Sequence, residues 1–347
     1  MTIEHMDNFS IYGTDVSLLA DGIYAQADGN LSLQVDPDGI SSGRVARTTS
    51  SASNRAIMRY VLNGAQNVVG LALRVWCDPI PVSDATRPIL ASYRDGVNSE
   101  FATVRVTPTG RLLFEDGTNT IETAVPAISA SAWWHIEIKY DRSGVGSIEI
   151  RVEGLTVMLD EDLGYVVADP IYQVATLGAG SNLSSGVTYF KDYVIWNGTG
   201  TYNNDFLGSV LVHNLIPTSD VALNWTPVGG ATGFGILDNI PPNDAQYISA
   251  PTPAPAAYVC GLSDLPAEVT SVKALMSIVR AAKTDGGDGS LQVSAVSQGD
   301  VVNGANRPIT IAMTYWRDVF ETDPDTGVPW LPEAVNLAEL QIDRTDS

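Results

Sequence analysis

Between residues 131 and 154 the chain reads SAWWHIEIKYDRSGVGSIEIRVEG, two runs of strict alternation around a short turn. In an extended strand successive side chains point to opposite faces, so a period of two sorts them into two sides. One face of the first run collects Trp134, Ile136, Ile138 and Tyr140, and the other collects Trp133, His135, Glu137 and Lys139. After DRSGVG, Ile148, Ile150 and Val152 share one face, while Ser147, Glu149, Arg151 and Glu153 share the other. The two runs therefore predict an antiparallel hairpin with a single buried face and a wet one. Glu137 and Lys139 lie near Glu149 and Arg151 as ordinary cross-strand pairs. Gly154 permits a tight reversal into a third strand carrying Leu155, Val157 and Leu159.

The same texture runs through most of the chain. Strand-length runs rich in β-branched and aromatic residues occur at 68–77, 89–94, 101–107, 111–116, 171–178, 187–197 and 209–215, the last reading SVLVHNL. Turn signals such as Pro108-Thr109-Gly110, Asp116-Gly117 and Gly198-Thr199-Gly200 separate them. Many short strands with no long helical period predict an all-β antiparallel sandwich over residues 1–215. A Gly/Pro-rich connecting segment follows at 216–257; its PTPAPA tail at 251–256 reads as a stiff extended connector, which puts the boundary near residue 250. Residues 258–347 predict a smaller β-rich domain, with strand-like runs at 269–284, 291–297 and 308–320. One short helix is expected over 332–340, where Pro332 suits the first turn and Ala334, Leu337 and Leu340 recur at helical spacing.

Charge narrows the range of partners. Forty acidic residues against nineteen basic ones give a net charge of −21, which repels phosphate backbones and disfavours nucleic acid. Self-repulsion of this size favours solubility. No apolar run approaches the roughly 20 residues of a membrane-spanning helix, so no membrane partner is expected. The segment MTIEHMDNFSIYG has neither the basic start nor the apolar middle of a secretory signal, making the cytoplasm the expected site of synthesis. Cys77 and Cys260, in the apolar settings RVWC and AYVC, read as inert core thiols.

The residues that could carry chemistry are few. His5, His135 and His213 are the only histidines, and none has another at metal-site spacing. By alternation His135 is a solvated surface ring, and His213 reads as structural. GAGSN at 178–182 lacks the closing glycine of a nucleophile elbow, and GGATGFG at 229–235 reads as a flexible loop rather than a phosphate cradle. Glu149 and Glu153 share a strand face, but four residues apart in a strand means about 13 Å between backbones. Carboxylate pairs that cleave glycosides work at roughly 5–9.5 Å. DPDG at 36–39 and DEDLG at 160–164 read as acidic turns rather than full calcium loops. No catalytic, cofactor-binding or metal-binding residue is assigned, and no cofactor is expected. Trp133, on the wet face, is the aromatic placed to stack on a sugar or meet a partner.

WWHIEIKYDRSGVGSIEIRVEG, with YFKDYVIWNGTG at 189–200, resembles the laminin G or concanavalin A-like jelly-roll sandwich. In that family a Trp-His strand leads into a hairpin ending in Gly, and a later strand carries an acidic residue before an aromatic apolar segment. Trp134, His135, Gly154, Asp192 and Trp196 hold those positions here. MDNFSIYG, GIYA at 22–25 and GRVAR at 43–47 are similar to the first strands of such domains in tailed-bacteriophage proteins. The later segments, from FLGSVLVHNLIPTSDVALNW to DPDTGVPWLPEAVNLAEL, are similar in order to virion proteins encoded among phage tail genes. The resemblance implies a non-enzymatic structural component of a tailed-phage virion, in a tail, fibre or other exposed assembly. Its partners would be other virion proteins and copies of itself in a symmetric homo-oligomer. A host-surface adhesin or carbohydrate-binding module using Trp133 is the alternative, and a glycan hydrolase a distant third.

Overall fold

Trp133–Asp141 and Ser147–Val152 pair antiparallel, as their alternation predicts, with Ile136 opposite Val152, Glu137 opposite Arg151 and Lys139 opposite Glu149. The structure is a computed structural model that describes residues 2–28, 30–39, 43–49, 56–80, 88–166, 170–177, 187–230, 232–250 and 257–345. The chain forms two units, Met1–Ala20 with Tyr24–Val212, and Asp21–Ile23 with His213–Ser347.

The first unit is an antiparallel β-sandwich of the jelly-roll kind. One sheet contains, in spatial order, β13 (Leu155–Asp160), β12 (Ser147–Val152), β11 (Trp133–Asp141), β6 (Val68–Asp78), β15 (Val187–Asn197), β4 (Arg44–Thr49) and β3 (Leu31–Val35). Strand β1 (Ile3–Asp7) also pairs with β15. The facing sheet runs β10 (Thr120–Glu122), β9 (Leu112–Glu115), β8 (Glu100–Val106), β7 (Ile89–Arg94), β14 (Ile171–Leu177), β5 (Ile57–Gln66) and β2 (Gln26–Asp28).

Alternation explains the core between them. Ile136, Ile138, Tyr140, Ile148 and Ile150 are fully buried, joined by Val69, Leu71, Leu73 and Val75 of β6. Tyr140 meets the facing sheet, its ring 4.8 Å from Tyr93 and 5.4 Å from Phe114. Each such side chain contributes about 1.5–3 kcal/mol relative to exposure, so the stacked faces dominate the stability of this unit. Trp134, at the strand's start, is only half-buried and donates its indole N–H to the Ser129 carbonyl. Gly154 adopts φ 79°, the left-handed turn that brings β13 alongside β12.

The second unit is also β-rich. Its main sheet runs β16 (Pro217–Ala222), β19 (Tyr258–Leu262), β25 (Glu339–Arg344), β21 (Ser290–Ser297) and β22 (Asp300–Asn303), with β23 (Arg307–Pro308) on β21. Two further pairs are β17 (Thr226–Val228) with β18 (Tyr247–Ser249), and β20 (Leu275–Ala281) with β24 (Thr314–Phe320). Trp225, Tyr258, Cys260, Leu291, Val293 and Ile342 form one buried cluster, and Phe320, Trp330, Val335 and Ala338 anchor another. Within 216–257, β16, β17 and β18 are therefore strands of this unit, while PTPAPA at 251–256 lies outside the described residues.

Several local expectations are corrected. SVLVHNL at 209–215 is not a strand: the Val212 amide donates to Asp192 Oδ1 and the Val212 carbonyl accepts from Asn8 Nδ2, so side chains replace ladder partners there. His213 is exposed. The run 269–284 is a strand only over Leu275–Ala281. The helix expected over 332–340 is a single turn, α2 (Pro332–Val335), because Leu340 is drawn into β25 opposite Cys260 and Ala295. A second helical turn, α1 (Phe234–Leu237), begins at the end of GGATGFG, where the Gly233 and Phe234 amides donate to the Asp220 carboxylate. GAGSN at 178–182 lies outside the described residues. Cys77 and Cys260 are free and buried, and burial pushes each thiol up to about 12.

Gly70, near the start of β6, supports the Trp196 indole, and a Cβ there would lie 1.9 Å from ring atom Cε2. Because Trp196 is fully buried, its ring has nowhere to retreat. Gly70→Ala is expected to lower stability by about 1–3 kcal/mol, read as a shift in the urea midpoint against wild type. An unchanged midpoint would show that the ring is not held as described.

Candidate functional site

The outer face of the β11-bearing sheet is divided into a covered half and an open half. A β-bulge between Lys191 and Val194 in β15 inserts one extra residue, so that below it Val194 and Trp196 face outward over Ala72 and Gly70. Asp192 sits in the bulge with φ 51°, a left-handed conformation that costs a non-glycine residue of order 1 kcal/mol.

Residues 198–212, which contain neither helix nor strand, lie over this lower half as a strap. Glu137 Oε1 accepts the amides of Leu207 at 2.7 Å and Gly208 at 3.1 Å. Lys139 pairs with Asp205 at 2.9 Å, and the Arg151 guanidinium stacks 3.7 Å from the Phe206 ring centroid. Asp192 Oδ1 accepts the Val212 amide at 2.9 Å. The face expected to be wet is thus dry over much of its area. His135 and Glu137 are each only 1% exposed, which corrects the reading of His135 as a solvated ring.

Above the bulge the strand register lines up two rows. In the first, Trp133 of β11 lies opposite Trp76 of β6, Trp76 opposite Tyr189 of β15, and Tyr189 opposite Arg47 of β4. In the second, His135 lies opposite Arg74, and Arg74 opposite Lys191. Trp133, Trp76, Tyr189, Arg47, Arg74 and Lys191 all keep partial exposure. The Trp76 and Trp133 rings meet edge to face, 5.8 Å apart at 62°.

Asp36 fixes this corner. Its carboxylate accepts the Trp133 indole N–H at 3.0 Å and pairs with Lys191 Nζ at 2.6 Å, while Nζ lies 4.2 Å from the Trp133 ring centroid. Burial alone would push the Asp36 carboxyl up, but hydrogen bonds from Lys191, Asp38 and Trp133 together hold it below the usual aspartate value. Arg74 lies 3.6 Å from Asp192 and donates to Ser209 Oγ at 3.3 Å, tying the strap to the second row.

His135 is held by its backbone, whose amide donates to Glu153 Oε1 at 2.7 Å. Both imidazole nitrogens are buried with no hydrogen-bond partner. Burial first, then the Arg74 charge, lower its pKa to about 4 against the opposing pull of Glu153, so the ring is neutral at pH 7.

The remaining sequence candidates are placed elsewhere. Glu149 pairs with Arg151 and accepts the Thr156 hydroxyl, whereas Glu153 lies beyond the end of β12 in a turn with φ 48°, so the two do not form a carboxylate pair on one strand. In DPDG, Asp36 is occupied by Lys191 and Trp133; in DEDLG, Asp160 and Asp162 accept the amides of Asp162 and Gly164. Among the described residues no group of three or more His, Cys, Asp and Glu is placed to hold a metal ion. His5 belongs to a buried network in which its Nε2 meets the Tyr24 hydroxyl at 2.9 Å and Tyr24 donates to Asp7. Of the residues carrying the family resemblance, His135 and Asp192 border the open half, and Trp196 lies in the covered half.

No protein-family model and no curated protein matches the chain. Among solved structures, the cellulose-induced protein Cip1 aligns at 14% identity with a TM-score of 0.43, covering 60% of this chain and 100% of Cip1. An endo-β-1,4-glucuronan lyase from the fungus Trichoderma reesei aligns at 12% identity and TM-score 0.40, covering 56% of this chain and 96% of the lyase. A sialidase aligns at 13% identity and TM-score 0.42 over 56% of this chain but only 18% of its own length. The likeness extends to the sandwich and no further. It does correct the expectation of a non-enzymatic chain, because lyases and a sialidase stand among these neighbours.

The state of His135 sets a pH dependence. Its folded pKa of about 4 lies below that of an unfolded histidine, about 6.5, so the unfolded chain takes the proton first. Its contribution is complete above about pH 6.5 and is lost as pH falls toward 4, by roughly 3 kcal/mol in full. Thermal midpoints between pH 7 and 4 should fall less steeply for His135→Gln than for wild type. Parallel curves would show that His135 does not carry this contribution.

Proposed function

We propose that the chain is a glycan-binding protein whose binding surface is the open half of the β11-bearing sheet. The observation that supports this reading is the row Trp133–Trp76–Tyr189, three aromatic side chains side by side on three adjacent strands. Aromatic faces on a rigid sheet present apolar platforms to the C–H faces of sugar rings, and neighbouring polar groups fix orientation. Strands in the middle of a sheet hold these platforms in place before any ligand arrives, which lowers the ordering cost of binding. Trp133 is further clamped by Asp36 and Lys191, whereas the indole nitrogen of Trp76 is buried without a partner.

The order of segments that resembles tailed-phage virion proteins supports placing this face on a particle, where it would grip a host polysaccharide. Mass spectrometry of washed source particles should then recover the chain in stoichiometric copies, and its absence would remove that setting while leaving the binding site untouched.

The binding site itself is tested on a printed array of bacterial and plant polysaccharides. Wild type should bind a subset of glycans, and Trp76→Ala should lose at least tenfold in affinity, about 1.4 kcal/mol, with its thermal midpoint retained. Equal binding by a folded Trp76→Ala protein would contradict the assignment.

A further inference from the structure

We infer that the glycan taken by this face is anionic and that Arg47 reads its negative group, an inference that rests on the glycan-binding role proposed for the same surface. The carboxylates of Asp36 and Asp192 are already committed: Asp36 to Lys191 and the Trp133 indole, and Asp192 to the Val212 amide and Arg74. What remains without a partner is donor-rich. Trp76 Nε1 is buried and unbonded. Neutral His135 has one ring N–H, and neither of its nitrogens is engaged.

Arg47 completes the set. It ends the aromatic row beside Tyr189, is half-buried, and among the described residues makes no ion pair, although the chain carries forty acidic residues against nineteen basic ones. A partly desolvated guanidinium without a carboxylate is unfavourable when empty and favours an oxyanion that can take two of its N–H groups at once. A neutral sugar would leave that charge unanswered. A sugar carboxylate or sulfate held beside the Tyr189 ring would satisfy it. The overall charge of −21 repels a polyanion at a distance, so recognition must come from this short-range contact, with long-range steering playing no part.

The test compares wild type, Arg47→Gln, Arg47→Lys and Trp76→Ala on an array of neutral polysaccharides, uronate-containing polysaccharides, carboxyl-reduced forms of the same uronates, and sulfated and desulfated galactans. Circular dichroism and thermal midpoints of all four proteins establish folding. The expected result is binding confined to anionic glycans, weakened at least tenfold in Arg47→Gln and partly restored in Arg47→Lys. Loss on carboxyl reduction would name a carboxylate as the group read, and loss on desulfation a sulfate. Binding to neutral glycans that is unaffected by Arg47→Gln but lost in Trp76→Ala would overturn the anionic specificity and leave the aromatic platform standing. Anionic binding that survives Arg47→Gln unchanged would overturn the role of Arg47. No binding to any glycan would overturn both readings together.

Discussion

The carboxylate of Glu137, buried in the middle of a sheet's outer face, holds two backbone amides of a segment with no secondary structure of its own. Unpaired amides buried against a sheet are costly, and a charged acceptor is among the stronger ways to satisfy them. That contact, with Lys139 on Asp205 and Asp192 on Val212, lays the 198–212 strap across one half of the face. The other half is what remains: two rows of aromatic and cationic side chains at the upper ends of β11, β6, β15 and β4. Where the strap stops, the candidate site begins, and Arg74 touches both.

The β-bulge at Asp192 makes this division possible within a single strand. Above it, β15 presents Tyr189 and Lys191 outward; below it, the same face carries Val194 and the Trp196 indole lying over Gly70. One inserted residue thus turns a polar, open strand face into an apolar, covered one. The left-handed backbone of Asp192 is the local cost, offset by its bonds to the Val212 amide and Arg74.

Alternation by itself made the hairpin of β11 and β12 legible in the sequence, but not the partners of its charges: Glu137 takes two strap amides, Lys139 pairs with Asp205, and Arg151 pairs with Glu149 of its own strand. It also marked Trp133 as an outward aromatic. It could not say what covers an outward face, which is why His135 and Glu137 read as wet and are dry. Nor could it show that RVWC and YFKDYVIWN lie side by side: Arg74 and Trp76 alternate with Val75 and Cys77, and Tyr189 and Lys191 flank Phe190, but only long-range pairing places them next to Trp133 and His135. The helix expected over 332–340 failed for a related reason, since sheet pairing of Leu340 overrode a weak local period.

If ligands meet the open half of this face and not the strapped half, the seven tryptophans report it directly, because each indole N–H gives its own peak in a nitrogen–proton correlation spectrum. Titrating in a uronate oligosaccharide should move the Trp76 and Trp133 indole peaks while those of Trp196 beneath the strap and of Trp225, Trp316 and Trp330 in the second unit stay in place. Movement of Trp196 or of the second-unit indoles, with Trp76 and Trp133 unchanged, would contradict this division of the face.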